Sequence, residues 1–207
     1  MKKSSILILI IICLVGCKKG SNETTITGEI KGLGTDTLYL YGMDELYDRI
    51  DTIYVENDKF SYTTSVDTIT SAYLLLKNRI EYPVFLDKGN KIKIKGETIN
   101  LNFLTISGNI YNEEFTDFQK ALEDPADPSE KAGEETVDKR ITVEKANTAE
   151  EMAEEFILQH HSSYVSLYLL DKYFVQKETP DFSKIKKLVE VMTGVLQDKP
   201  YIERLNE

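Results

Sequence analysis

The feature that most constrains this chain is a change of hydrophobic period at Gly108. Before it, short β-branched and aromatic runs alternate with turn residues. Lys91-Ile92-Lys93-Ile94-Lys95 is the clearest case, with two isoleucines on one face and three lysines on the other. That is the period of two of a half-buried strand. After it, Tyr111, Phe115, Phe118 and Leu122 recur at three and four, the face of an amphipathic helix. One chain with two successive periods belongs to the α+β class, strands first and helices after.

The first part reads as about eight strands at intervals near ten residues. They are expected around 25–30, 37–41, 49–55, 60–63, 72–76, 82–86, 91–95 and 101–106. Glu56-Asn57-Asp58-Lys59 and Gly89-Asn90 are turn sequences. The runs Ala72–Leu76 and Tyr82–Leu86 are almost continuously apolar, as strands covered on both faces are. The expected architecture is an antiparallel β-sandwich or open barrel over 25–108, followed by a helix and acidic linker over 109–147 and a helical segment over 148–207.

Within that segment, Thr148-Ala149-Glu150-Glu151 matches a capping box and predicts a helix start. Ser162 or Ser163 is placed to cap a second helix reaching Phe174, apolar nearly all round and so the most buried part of this half. Pro180-Asp181 opens a third, with Ile185, Leu188, Val189, Met192 and Leu196 on one face up to Pro200. Tyr201 onwards reads as a further helical turn, so the chain is expected to stop within an element.

Ahead of the strands stands a different kind of segment. Met1-Lys2-Lys3 is a positive start, and Ile6 to Val15 is almost continuously apolar. The run of about ten residues is half the length needed to cross a hydrocarbon core, and has the layout of a secretory signal. Its end, Leu14-Val15-Gly16-Cys17, resembles the lipobox of bacterial lipoproteins. The resemblance implies a signal peptide over 1–16, cleavage between Gly16 and Cys17, lipid on Cys17 and a polar tether over 17–24. Lys18-Lys19, basic rather than acidic, leans towards a periplasm-facing anchor in the cell envelope.

Cysteine usage then bounds the chemistry. Cys13 leaves with the signal and Cys17 is consumed by lipid, so the mature chain would have no thiol for a disulfide or for redox work. The net charge of -10 becomes more negative once Lys2 and Lys3 leave. Such a balance repels nucleic-acid phosphates and anionic headgroups, which makes lipid the expected link to a membrane.

No catalytic constellation stands out. His160-His161 are adjacent, about 100° apart on a helix, which is poor spacing for chelation. Carboxylates concentrate at Glu113-Glu114, Glu123-Asp124, Glu134-Glu135 and Glu150-Glu151, which read as solvated faces. Gly32-x-Gly34 has no following helix and is not a phosphate loop, and no Gly-x-Ser-x-Gly elbow occurs. The chain has 12 tyrosines, and Tyr39, Tyr41, Tyr54 and Tyr62 are either packing residues of strands or the lining of a ligand groove. No metal or cofactor is expected.

Several phrases, in order, resemble a known family. They are Ile26-Thr27-Gly28-Glu29-Ile30, Thr37-Leu38-Tyr39-Leu40, Asp51-Thr52-Ile53-x-Val55, and Lys59-Phe60-Ser61-Tyr62. After these come Val84-Phe85-Leu86-x-x-Gly89-Asn90-x-Ile92-x-Ile94-x-Gly96, then Ile106-Ser107-Gly108 with Asn112-Glu113-Glu114-Phe115. Together they resemble the N-terminal β-domain of uncharacterised function (DUF4369-type) of many Bacteroidetes-type lipoproteins. His161-Ser162-Ser163-Tyr164-Val165-Ser166-Leu167-Tyr168-Leu169-Leu170 resembles the helical segment that follows it, with His161 where that family often has proline. There, the two segments usually precede a thioredoxin-like domain with a Cys-x-x-Cys dithiol, which this chain lacks.

The resemblance thus implies a redox neighbourhood without supplying a catalytic residue. The leading expectation is a lipid-anchored, non-enzymatic envelope module that positions or binds a partner, such as a thiol–disulfide protein. One rival is the front part of a tethered thioredoxin-like oxidoreductase whose catalytic domain is missing. Another is an autonomous peptide- or glycan-binding lipoprotein.

Overall fold

Eight strands form two four-stranded sheets in the computed structural model, which describes residues 22–43, 46–123, 138–197 and 200–206. The expected signal peptide, Gly16, Cys17 and most of the tether and acidic linker lie outside the described residues.

The strands are β1 (Glu23–Lys31), β2 (Asp36–Gly42), β3 (Ile50–Val55), β4 (Lys59–Ser65), β5 (Thr70–Leu75), β6 (Glu81–Leu86), β7 (Lys91–Glu97) and β8 (Thr105–Ser107). One sheet has the order β4-β1-β7-β8 and the other β3-β2-β5-β6. The architecture is a sandwich with no closed barrel, followed by helices. Alternation places the core as expected: Ile26, Ile30, Ile92, Ile94 and Ile106 face Leu38, Leu40, Ile53, Leu74 and Val84, all at most 1% exposed. Lys91, Lys93 and Lys95 are exposed, and β6 is buried on both faces from Tyr82 to Leu86.

The expectation of a wholly antiparallel sandwich needs one correction. β1 pairs with β7 in parallel, Ile26 opposite Ile92 and Gly28 opposite Ile94. The other side of β1 is taken antiparallel by β4. Strands β2 to β6 intervene before β7 returns to β1, so the register joins residues far apart in sequence. Alternation within a strand fixes its buried face but not its neighbour or direction. The last strand is also shorter than expected, because the chain around Leu101–Leu104 is irregular and pairing begins at Thr105.

Helices follow: α1 (Ile110–Glu123), α2 (Asp138–Gln159), α3 (Tyr164–Leu170), α4 (Phe182–Val191) and α5 (Pro200–Asn206). Among the described residues, no helix is long and apolar enough to cross a membrane. Gly108 makes the break into α1 at φ +114°, and an added Cβ there would strike the Lys91 carbonyl. Asn109 caps α1, its Oδ1 accepting from the Asn112 amide at 3.0 Å.

α2 begins at Asp138, so Thr148-Ala149-Glu150-Glu151 lies within it rather than at its start. A capping box requires a non-helical first residue, and here the Lys-, Arg- and Ala-containing stretch before Thr148 already propagates helix. Ser163 caps α3 by accepting from the Val165 amide at 3.2 Å. Asp181 caps α4, accepting from Ser183 and Lys184. α4 ends at Val191, before Pro200, and Pro200 opens α5. Proline suits a first helical turn, where its missing N–H has no intrahelical partner. α3 is the buried piece that its apolar circumference implies, with Val165, Leu169 and Leu170 fully buried.

Candidate functional site

Two free sheet edges, β6 and β8, face each other across one side of the sandwich. α1 closes that side with polar side chains on one helical face. Asn112, 1% exposed, accepts from the Phe85 amide at 3.0 Å and donates to the Phe85 carbonyl at 2.8 Å. Thr116 does the same for β8: its Oγ1 accepts from the Ile106 amide at 3.0 Å and donates to the Ile106 carbonyl at 2.9 Å. Each side chain imitates a neighbouring strand, so the edge groups of Phe85 and Ile106 are satisfied without a further strand. Next along the helix, Gln119 meets the Tyr82 hydroxyl, which also donates to the Leu104 carbonyl at 2.7 Å.

Beyond Gln119 the seam opens into a cleft of about 200 Å³. Its walls are β6 at Tyr82-Pro83, α1 at Phe115, Phe118 and Leu122, and α3 with its continuation at Tyr168, Lys172 and Tyr173. The aromatic rings interlock: Phe115 meets Tyr168 edge-on at 5.2 Å and Tyr82 at 5.8 Å. Phe118 meets Tyr173 at 6.4 Å, and Tyr168 reaches Tyr73 of β5 at 6.5 Å.

Lys172 stands on the rim because the helix changes pitch there. Asp171–Val175 is a π-helical turn, closed by the Gln176 amide donating to the Asp171 carbonyl at 3.0 Å. The Lys172 ammonium lies 5.5 Å from the ring centres of both Tyr168 and Tyr173. Burial lowers it below the usual lysine value. Among the described residues, no carboxylate forms an ion pair with it. The cleft's own carboxylate, Glu81, accepts from the Tyr41 hydroxyl instead. Asp171 accepts from the Tyr201 hydroxyl at 2.5 Å, which ties α5 to the π-turn.

The tyrosines here are donors and aromatic surfaces. Burial first, then Asp171 and Glu81, pushes Tyr73 up to about 12. Burial likewise raises Tyr82 and Tyr168, so none ionises near neutral pH.

Of the tyrosines singled out in the sequence, Tyr41 comes nearest to this cleft, through Glu81 and by meeting Tyr73 at 5.7 Å. Tyr39 and Tyr54 lie exposed on the outer face of the β2–β3 half, and Tyr62 belongs to a network around Asp51 on the other side. Tyr73, Tyr168, Lys172 and Tyr173 were not singled out. The i, i+4 spacing of Tyr168 and Lys172 was the available signal, but the cleft depends on the packing of α1 and α3 against β6.

The histidines sit in helix-terminal packing. His160 stacks on Phe156 at 4.0 Å and 10°, with Nδ1 3.0 Å from the Phe156 carbonyl. The His161 carbonyl accepts from the Thr193 amide. Gly32 and Gly34 are turn residues at φ +81° and +73°, and the Gly34 amide donates to Asp58 at 2.6 Å. Four of the expected solvated carboxylates have structural partners: Glu113 accepts from the Gly108 amide and Glu123 from Asn100. Glu114 accepts from Ser163 at 2.5 Å, and Glu150 binds Lys177 at 2.7 Å. Among the described residues, no group of three or more His, Cys, Asp and Glu side chains is placed to hold a metal.

No curated protein and no solved structure matches this chain. One family model does, described as "Domain of unknown function (DUF4369)", over residues 24–115. The match takes in all eight strands and reaches Phe115 in α1, including Asn112, which closes the sheet edge. Over residues 24–115 the chain is therefore similar to the DUF4369 family.

Proposed function

We propose that this chain is a lipid-anchored module of the cell envelope, attached through Cys17, which binds a partner or ligand in the aromatic cleft and catalyses nothing itself. The observation that carries the anchor is Leu14-Val15-Gly16-Cys17 at the end of a short apolar run, only a few residues ahead of β1 at Glu23. Six residues of extended chain span at most roughly 20 Å, so the sandwich would lie close to the bilayer. Two or three acyl chains on one cysteine give stable attachment where a single chain does not. The cleft supports the binding part of the reading, being concave and lined by aromatic rings together with the polar side chains Glu81, Asn102, Gln119 and Lys172. The family resemblance supports a partner drawn from envelope thiol–disulfide chemistry.

The test is the chain in its own membranes. Cys17→Ala is expected to move the protein from the membrane to the soluble fraction, and the intact wild-type mass is expected to fit Cys17 to Glu207 plus acyl chains. Membrane association of the variant that persists at high salt refutes the anchor. A mass larger by about 100 to 150 residues supports the rival reading, a tethered thiol–disulfide oxidoreductase of which this is the front part.

A further inference from the structure

The cleft between β6, α1 and α3 has an apolar floor and one cation at its mouth. Phe115, Phe118, Pro83 and Tyr168 supply ring and aliphatic surface, and a volume of about 200 Å³ is below that of pockets for drug-sized ligands. Lys172 keeps part of its surface in solvent, while its ammonium is held over two tyrosine rings, desolvated there and without a carboxylate partner among the described residues. The π-helical turn that sets it there is a second, independent feature. Such turns are rare in helices and occur frequently at functional sites. The lining carboxylate, Glu81, keeps its charge while accepting from the Tyr41 hydroxyl and forms no ion pair with Lys172, so the ammonium remains the one cationic donor among the residues that line the cleft.

We infer that this cleft binds a small carboxylate with an aromatic or branched apolar body, the body among Phe115, Phe118 and Tyr168 and the carboxylate on the Lys172 ammonium. The inference rests on the cleft being the binding place, and is independent of the lipid anchor. Two sources present this chemistry: a free arylalkyl acid, and the C-terminal residue of a peptide. A partly desolvated lysine beside aromatic rings gains more from a carboxylate than one in water, because the charge pair forms at lower effective dielectric. A neutral ligand of the same shape fills the floor but leaves the ammonium unpaired.

The test is calorimetric titration of the full chain with 3-phenylpropionate and its primary amide, and with Gly-Gly-Phe as free acid and C-terminal amide. The wild type is expected to prefer each bound acid over its amide by about tenfold, from one charge-assisted contact. Lys172→Met keeps an unbranched side chain of similar length and removes the charge, so acid and amide should then bind alike. Lys172→Arg should restore most of the preference, which separates charge from damage to the fold. Binding of the peptide acid alone assigns the source to a chain terminus, and binding of phenylpropionate alone to a free acid. Equal binding of acid and amide to the wild type overturns the carboxylate inference and leaves the cleft as a binding place. No binding of any probe at 10 mM (roughly 3 kcal/mol of affinity) overturns both.

Discussion

Asn112→Leu tests the closure of the sandwich where α1 bonds to the β6 edge. The Asn112 side chain is 1% exposed and makes three hydrogen bonds, to the Phe85 amide (3.0 Å), the Phe85 carbonyl (2.8 Å) and Asn109 Oδ1 (2.9 Å). Leucine keeps the branched skeleton of asparagine but removes its polar atoms, and because its methyls are bulkier than the amide any overpacking adds to the loss rather than masking it. The Phe85 carbonyl keeps a donor in Asn109 Nδ2 at 2.9 Å, but the Phe85 amide is left with none. An orphaned buried amide costs about 1–3 kcal/mol, and the remaining lost bonds about 1 kcal/mol more. The expected loss is therefore about 2–4 kcal/mol, a large part of the stability of an ordinary domain. At about 2–4 °C per kcal/mol for a chain of this size, Tm should fall by roughly 10 °C. Urea unfolding gives the free energy, and amide exchange gives the location. The Phe85 amide should lose protection while the Ile106 amide, bonded to Thr116, keeps its own. A loss under about 1 kcal/mol, or unchanged exchange at Phe85, refutes the view that Asn112 stands in for a missing strand.

Other consequences follow from the packing. Burial tends to raise Asp51, but hydrogen bonds from Tyr47, Tyr62 and Arg49 outweigh it and hold the carboxyl below its ordinary value. Its contribution is then complete above the unfolded value near ~3.9 and is lost as pH falls through the lower folded value. Asp51→Asn should flatten the acid-side loss of stability measured by urea midpoints between about pH 2 and 5, and an unchanged slope would sink the assignment. Gly28→Ala places a methyl into the ring of Phe60, its antiparallel partner, and should cost about 1–3 kcal/mol by overpacking. Combining it with Phe60→Leu should recover part of that loss in a double-mutant cycle, and strict additivity would contradict the contact.

Much of this was legible along the chain. Strand alternation at Lys91–Lys95 and the helical spacing from Tyr111 to Leu122 depend on which face of a local element meets water, and each element carries that information within itself. The caps at Ser163 and Asp181 are legible for the same reason, since each acts within two or three residues. Thr148 shows the limit of that reading. Its local pattern is a cap, but the preceding residues already propagate the helix, and context overrides the motif.

What only the tertiary structure decided is long in range. The parallel pairing of β1 with β7 joins residues more than sixty positions apart, and the buried bonds of Asn112 and Thr116 join a helix to two different sheets. The cleft exists only where Tyr82, Phe115 and Tyr168 come together from three elements, and the π-turn that aims Lys172 leaves no periodic mark in so short a segment. Composition and period determine what an element buries, because that is a property of its own residues. They do not determine which element it is buried against, because that depends on the packing of surfaces brought together by the whole fold.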